Sequence, residues 1–260
     1  METQALTPKD RIILPLDVSD VQKATELVNL LSGHVGLFKT GLEFIWSQIV
    51  NLLLLSDEEA IALLKQVRVL AKAIGAPHTF IDGKLCDIPN TVKGASAAIS
   101  RLGVKMFNVH ASAGIEAIKA AVADRGASQV LGVTVLTSID AEECVSIFGA
   151  QPSEKVLKFV EKIWLAGADG VICSPQEISV IRSQSDFCSL LLVTPGVRPE
   201  WAAAGDQKRV MTPGEAIKAG ADYLVIGRPI TKPPAEIGGP VEAAKRIAVE
   251  IAAALAERRQ

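Results

Sequence analysis

Short aliphatic and β-branched runs alternate with Ala-, Leu-, Lys- and Glu-rich stretches along the whole chain, and this alternation limits the fold more than any other feature. Eight runs have strand character: Ile12–Val18, Leu37–Gly41, Thr79–Leu85, Met106–Ala111, Gly132–Thr137, Gly170–Ser174, Leu190–Gly196 and Tyr223–Arg228. Between them, Glu26–Leu31, Glu58–Ile74, Val92–Leu102, Ile115–Ala123, Glu154–Ala166, Glu177–Arg182, Gly214–Ala219 and Val241–Arg258 read as helices. Strict β–α alternation implies a parallel sheet, and eight such units imply an α/β fold of the closed (β/α)8 type, a TIM barrel. A length of 260 residues suits one such domain spanning 1–260. The segments 166–172 and 219–225 echo each other: both run Ala-Gly-Ala-Asp into an apolar strand, as two similar αβ units would. The long spacer at 42–78 stands out, and its Leu52–Leu55 run is expected to form a helix packed on the barrel or on a partner chain.

Composition narrows the function. Hydrophobic residues make up 49% of the chain and charged residues 22%, which excludes disorder over most of its length. The net charge is −2 and no basic tract is present, so nucleic acid is not an expected partner. Four widely spaced cysteines, with no C-x-x-C pair, argue against a zinc site or a disulfide framework. They read as small buried hydrophobes. Three scattered histidines make no sequence-local metal cluster, and no metal is expected. The N-terminus lacks a positive segment followed by an apolar stretch, and an uncharged run such as Phe44 to Ser56 is too short to span a bilayer. The expected compartment is the cytoplasm, with no membrane partner.

In a barrel, chemistry belongs at the C-terminal ends of the strands. The sharpest segment there is Phe80-Ile81-Asp82-Gly83-Lys84-Leu85-Cys86-Asp87-Ile88-Pro89-Asn90-Thr91. Side chains on a strand alternate between faces, so Asp82 and Lys84 share the inner face while Ile81, Gly83 and Leu85 face the helices. A buried Asp and Lys must find partners. Asp17 at the end of the first strand and Lys39 on the second supply more charge, and Asp17, Lys39, Asp82, Lys84 and Asp87 alternate in sign. Adjacent carboxylates also hold lysines as ammonium groups. Read alone, a strand-end Asp is as well explained as a loop cap, and the pair at 82 and 84 as a rim salt bridge. Two inward charges beside a third carboxylate favour a site.

The last two strands end in an anion-binding pattern. Thr194-Pro195-Gly196-Val197-Arg198-Pro199 leads into a polar loop through Gln207, and Ile226-Gly227-Arg228-Pro229 closes the eighth strand. Loops after strands 7 and 8 are the usual phosphate site of this fold. Glycines let backbone N–H groups approach, and Arg offers a fork of donors. Glu200–Gln207 is a candidate lid. Thr137 and Ser138 end the fifth strand with hydroxyls that suit a heterocycle or a helix cap. His110 reads as a satisfied core or supporting histidine, and Cys86 has no activating base in view.

The Asp-x-Lys-x-x-Asp-Ile-Pro-Asn-Thr segment at 82–91 resembles the signature of the orotidine 5′-phosphate decarboxylase family. The resemblance covers nearly the whole chain: Asp17, Lys39, the 82–91 segment, Leu-Thr-Ser at 136–138, Pro-Gly-Val-Arg at 195–198, Gln207 and Gly-Arg at 227–228 occur in the family's order. The chain departs from it at Gly83, where the family often has Leu, and at Cys86, where it often has His.

That resemblance implies loss of CO₂ from orotidine 5′-phosphate to give uridine 5′-phosphate, the last step of de novo pyrimidine synthesis, with no metal or organic cofactor. It implies Lys84 as the ammonium beside C6 and its proton donor, and Asp82 beside the substrate carboxylate. Asp87 and Thr91 would reach into a neighbouring subunit's site, implying a homodimer. Asp17 and Lys39 would hold the ribose, and Thr137 and Ser138 the pyrimidine edge. Gln207, Gly227 and Arg228 would grip the phosphate, with Arg198 at the base of the lid. Three other readings compete: a sugar-phosphate enzyme using Mg²⁺, a nucleotide-binding protein without catalysis, and a barrel whose rim charges only pair with one another.

Overall fold

A computed structural model describes residues 6–202 and 211–258. In chain order the elements are β1 (Ile12–Pro15), α1 (Val21–Leu31), β2 (Leu37–Gly41), α2 (Leu42–Leu54), α3 (Asp57–Ile74), β3 (Thr79–Leu85), α4 (Pro89–Ser100), β4 (Met106–His110) and α5 (Ile115–Ala123). They continue with β5 (Gln129–Val133), α6 (Ala141–Phe148), α7 (Pro152–Leu165), β6 (Gly170–Ile172), α8 (Ile178–Arg182), β7 (Leu191–Pro195), α9 (Pro213–Ala219), β8 (Tyr223–Val225), α10 (Arg228–Thr231) and α11 (Pro240–Arg258). The eight strands pair in sequence order, all parallel, and β8 closes on β1 through Ile13 and Val225. The chain therefore forms the expected (β/α)8 barrel.

Two apolar layers follow from the two-residue period of a strand. Ile13, Leu37, Phe80, Met106, Leu131, Val193 and Tyr223 point inward and fill the barrel. Ile12, Leu14, Phe38, Phe107, Val109, Val130, Leu192 and Leu224 point outward against the helices. Full burial of such side chains contributes about 1.5–3 kcal/mol each, so the inner plug and the outer layer hold the strands in register. Close packing also dictates a glycine: a Cβ at Gly132 would collide with the Ile163 side chain, so glycine lets α7 lie this near β5.

Helix starts are marked by polar caps. The Asp20 carboxylate accepts from the Gln22 and Lys23 N–H groups, and Ser56 with Glu59 forms a capping box on α3. Asp140 caps α6, a helix that the strand-and-helix reading did not include. The spacer at 42–78 becomes α2, α3 and a short turn. Phe44 and Gln48 of α2 are buried, but Leu53 and Leu54 are 79% and 78% exposed. Most of the Leu52–Leu55 run thus faces away from the barrel.

The fifth strand corrects the sequence reading. It spans Gln129–Val133 rather than Gly132–Thr137, pairing with β4 from Met106↔Gln129 to His110↔Val133. The run from Val130 to Leu136 is interrupted only by Thr134, itself a good strand former, so its pattern does not fix where the strand stops. Backbone pairing does: beyond Val133, the Thr134 N–H and hydroxyl both donate to the Ile172 carbonyl, at 3.2 and 2.8 Å, and the strand ends there. Thr137 and Ser138 consequently sit on the following loop. Strands 1, 4, 6, 7 and 8 also stop earlier than expected, and Arg228 opens α10 rather than closing β8. The cysteines need correction too: Cys144 and Cys173 are buried, whereas Cys86 and Cys188 sit on exposed turns. Among the described residues, no helix is long and apolar enough to cross a membrane.

Candidate active site

A cavity of about 380 Å³ opens at the C-terminal end of the barrel. Phe80, Val133, Ile172 and Val225 are among its apolar lining. Above them Asp17, Lys39, Asp82, Lys84, Thr137, Ser138, Arg198, Gly227 and Arg228 also line it, so nine of the sequence-derived candidates meet in one place.

Four of these charges form a continuous chain. Lys39 Nζ lies 3.2 Å from Asp17 Oδ1 and 2.9 Å from Asp82 Oδ2, and Lys84 Nζ lies 2.6 Å from Asp82 Oδ1. The side chains of Lys39 and Asp82 are only 11% and 8% exposed, while Asp17 is 57% exposed at the mouth. Register explains the meeting. Lys39 pairs with Phe80 and Gly41 with Asp82, which puts Lys39 and Asp82 on adjacent strands facing inward. Gly41 leaves room for the network, since a Cβ there would stand 2.9 Å from Lys39 Nζ.

Burial alone would raise the Asp82 pKa, but Lys39 and Lys84 outweigh it and hold the carboxyl down at about 2. Burial alone would likewise lower Lys39, but Asp82 and Asp17 overcome it and hold the group above its ordinary value. Both groups are charged at neutral pH.

Lys84 reaches the cavity across an irregularity. The β3–β4 ladder runs Phe80↔Met106 and Ile81↔Phe107, then resumes at Leu85↔Val109. Asp82, Gly83 and Lys84 together therefore face the single residue Asn108. Among the described residues Lys84 is the one non-glycine with positive φ, at 46°. That conformation costs an L-residue about 1–2 kcal/mol, so the surroundings must enforce it. Asn108, which is fully buried, does so: its Oδ1 accepts from the Lys84 N–H at 2.8 Å and its Nδ2 donates to Asp82 Oδ1 at 2.6 Å. The sequence reading passed over Asn108. A neutral amide draws less notice than a charge, although its parity with Met106 marks it as inward.

The two arginines come from the last strands. Arg198 is buried, and the Val197↔Met211 bridge, with the Arg198 N–H donating to the Met211 carbonyl, closes the base of the loop beyond it. Burial first, and then the positive charge of Arg228, lower the Arg198 pKa. Two guanidinium groups on one cavity wall supply the forked donors that suit an anion. Gln207, and with it most of the candidate lid, lies outside the described residues.

Asp87 and Thr91 do not join the cavity. The Asp87 carboxylate accepts from the Ile88 N–H at 2.7 Å, and both residues are exposed at the start of α4. His110 is partly buried; burial first, and then the Lys84 ammonium, hold its imidazole below the ordinary value and so neutral. Cys173 lines the cavity, but burial pushes its thiol pKa far up, leaving it a poor nucleophile. Among the described residues, no group of three or more His, Cys, Asp or Glu side chains is placed to hold a metal ion.

The chain is similar to known proteins over nearly its whole length. A sequence model of the Orotidine 5′-phosphate decarboxylase / HUMPS family matches residues 10–247. The chain is 41% identical over 263 residues to an orotidine 5′-phosphate decarboxylase of Heliobacterium modesticaldum, covering 96% of this chain and 99% of that one. It is 42% identical to the enzyme of that name from Moorella thermoacetica, with 94% and 92% covered. The solved structure of orotidine 5′-phosphate decarboxylase from Lactobacillus acidophilus superposes with a TM-score of 0.70 at 28% identity, covering 92% of this chain and 98% of that one. On a match of this extent, the chain belongs to the Orotidine 5′-phosphate decarboxylase / HUMPS family.

Proposed function

We propose that this chain converts orotidine 5′-phosphate to uridine 5′-phosphate by direct decarboxylation, with no metal or organic cofactor. The observation that carries the reading is the Asp17–Lys39–Asp82–Lys84 ion chain in the same cavity as Arg198 and Arg228, in a chain of this family. The family supports a role in pyrimidine synthesis.

The difficulty of the reaction is electronic. When the C6–CO₂ bond breaks, its electron pair stays on C6, in an orbital that the ring delocalises poorly. A fixed ammonium is the natural counter-charge. Opposite unit charges about 4 Å apart attract by about 4 kcal/mol at an effective dielectric near 20. The charge is already in place, so no solvent has to reorganise. Lys84 is assigned this role: it stands beside C6, stabilises the carbanion and passes its proton to C6, ending as a neutral amine. Asp82 stands against the substrate carboxylate and keeps Lys84 oriented.

The rest of the cavity grips the nucleotide. Asp17 and Lys39 hold the ribose hydroxyls, and Thr137 and Ser138 the pyrimidine edge. Arg228, the Gly227 backbone and Gln207 take the phosphate, with Arg198 at the base of the loop. Phosphate binding remote from C6 then contributes to the barrier reduction at the reacting carbon. Asp87 and Thr91 complete the site of a second copy, so the working unit is a homodimer. The exposure of both residues in the single chain supports that assignment. The expected compartment is the cytoplasm.

The test is to follow the absorbance of orotidine 5′-phosphate after adding protein treated with EDTA. Rapid conversion to uridine 5′-phosphate supports the reading. Tight binding of uridine 5′-phosphate without conversion would point to a nucleotide binder, and activity confined to sugar phosphates with added Mg²⁺ would replace the reading altogether.

A further inference from the structure

We infer that Asn108 is the positioning residue that sets Lys84 and Asp82 relative to each other, and that it does so without touching the substrate. The inference rests on the decarboxylase reading above. Asn108 is fully buried beneath the cavity and is not part of its lining. Its amide spans the two functional groups. One end accepts the backbone N–H of Lys84, and the other donates to the same Asp82 oxygen that accepts Lys84 Nζ.

The chemistry selects asparagine. The Lys84 N–H can only donate, so an acceptor must face it, and the Asp82 carboxylate can only accept, so a donor must face that. A short side chain carrying one of each satisfies both in a single orientation. The bulge makes this necessary. With Asp82, Gly83 and Lys84 facing one residue of β4, the sheet offers the Lys84 N–H no ladder partner, and Lys84 sits at φ 46°. The side chain of Asn108 replaces the missing rung and fixes the Lys84 backbone at the point from which its ammonium must reach C6. Removing it frees the Lys84 backbone to relax toward an ordinary strand conformation. That moves Nζ away from the reacting carbon, while the groups that bind ribose and phosphate stay in place.

Three variants and four readouts test this. In Asn108→Ala, kcat should fall by about 100-fold, the loss that a displacement near 1 Å produces. Its affinity for uridine 5′-phosphate should stay within about threefold of the parent, since ground-state contacts are untouched. In Asn108→Asp the new carboxyl keeps an acceptor for the Lys84 N–H but sets a second negative charge beside Asp82. The other charged or titratable groups around it are Lys84 on β3, Lys39 on β2 and His110 on β4. Activity of this variant relative to the parent should recover as pH falls and the new carboxyl gains a proton to donate. Asn108→Leu, with the same branched heavy-atom skeleton but no polar atoms, should match Asn108→Ala. A flat relative pH profile for Asn108→Asp, or equal losses of kcat and nucleotide affinity in Asn108→Ala, would overturn the assignment. A crystal structure of Asn108→Ala reads the geometry independently of turnover. Unchanged Lys84 φ and an unchanged Lys84–Asp82 contact would refute the positioning role, even if the parent protein proved to catalyse another reaction.

Discussion

Lys84 and Lys39 hold opposite oxygens of the Asp82 carboxylate, at 2.6 Å from Oδ1 and 2.9 Å from Oδ2. One buried carboxylate thus fixes the ammonium assigned to chemistry and the ammonium assigned to the ribose. Losing its charge would loosen both.

Acid stability should report this directly. Burial opposes the charged form of Asp82, but the two lysines lower its pKa from 3.8 to about 2. A carboxyl depressed on folding adds stability above its unfolded pKa and loses that contribution as pH falls through its folded pKa. The gain is therefore full above about pH 4 and is lost toward pH 2, and it amounts to about 2 kcal/mol. Urea unfolding of the wild type and of Asp82→Asn, measured at several pH values from 7 to 2, should show the wild-type lead shrinking across that window. A lead that is independent of pH would contradict the network.

Phosphate recognition separates the arginines from the chemistry. Hydrogen bonds to charged groups contribute about 1.5–3 kcal/mol, so Arg228→Ala should weaken uridine 5′-phosphate binding by about 10- to 100-fold. Binding of uridine, which has no phosphate, should change by less than about twofold, because Arg228 is assigned no contact with base or ribose. Calorimetry on both ligands checks this. Equal losses for the two would remove Arg228 from the phosphate site.

Sharing of sites between copies has a complementation signature. Lys84→Ala and Asp87→Ala should each lose activity. In a mixed dimer, one site keeps both native residues while the other loses both. With random reassociation half of the dimers are mixed, and activity should return to about a quarter of the wild-type level, as two-fold symmetry dictates. No recovery on mixing and refolding would show that Asp87 serves its own chain's site or none.

The barrel was legible because burial imposes period two on each strand and β–α alternation leaves few parallel architectures. Residues Leu37–Gly41 and Thr79–Leu85 form strands with the boundaries read from sequence. The end of β5 was not legible, since strand-forming residues continue through Thr134 to Leu136, past the last residue of the strand at Val133. Asp82 was placed correctly by parity alone, sharing the inner face with Phe80. Lys84 lies past the Ile81/Leu85 break, where alternation no longer holds. It reaches the cavity because of the bulge, and nothing in the spacing of the motif shows that bulge. Asn108 was missed for a related reason: its importance comes from a rung that the neighbouring strand fails to supply. The exposed Asp87 and Thr91 are an expectation that one chain alone does not place in a site.

The central claim is that the Lys84 ammonium carries the chemical step. Its most direct test is the turnover of orotidine 5′-phosphate by Lys84→Ala, measured beside its affinity for uridine 5′-phosphate. The account requires kcat to fall by more than about 10³-fold, in the upper range for loss of a positioned acid. It also requires the variant to bind the product nucleotide. Turnover within about tenfold of the wild type would contradict the account, because a group worth so little cannot be both the counter-charge and the proton donor.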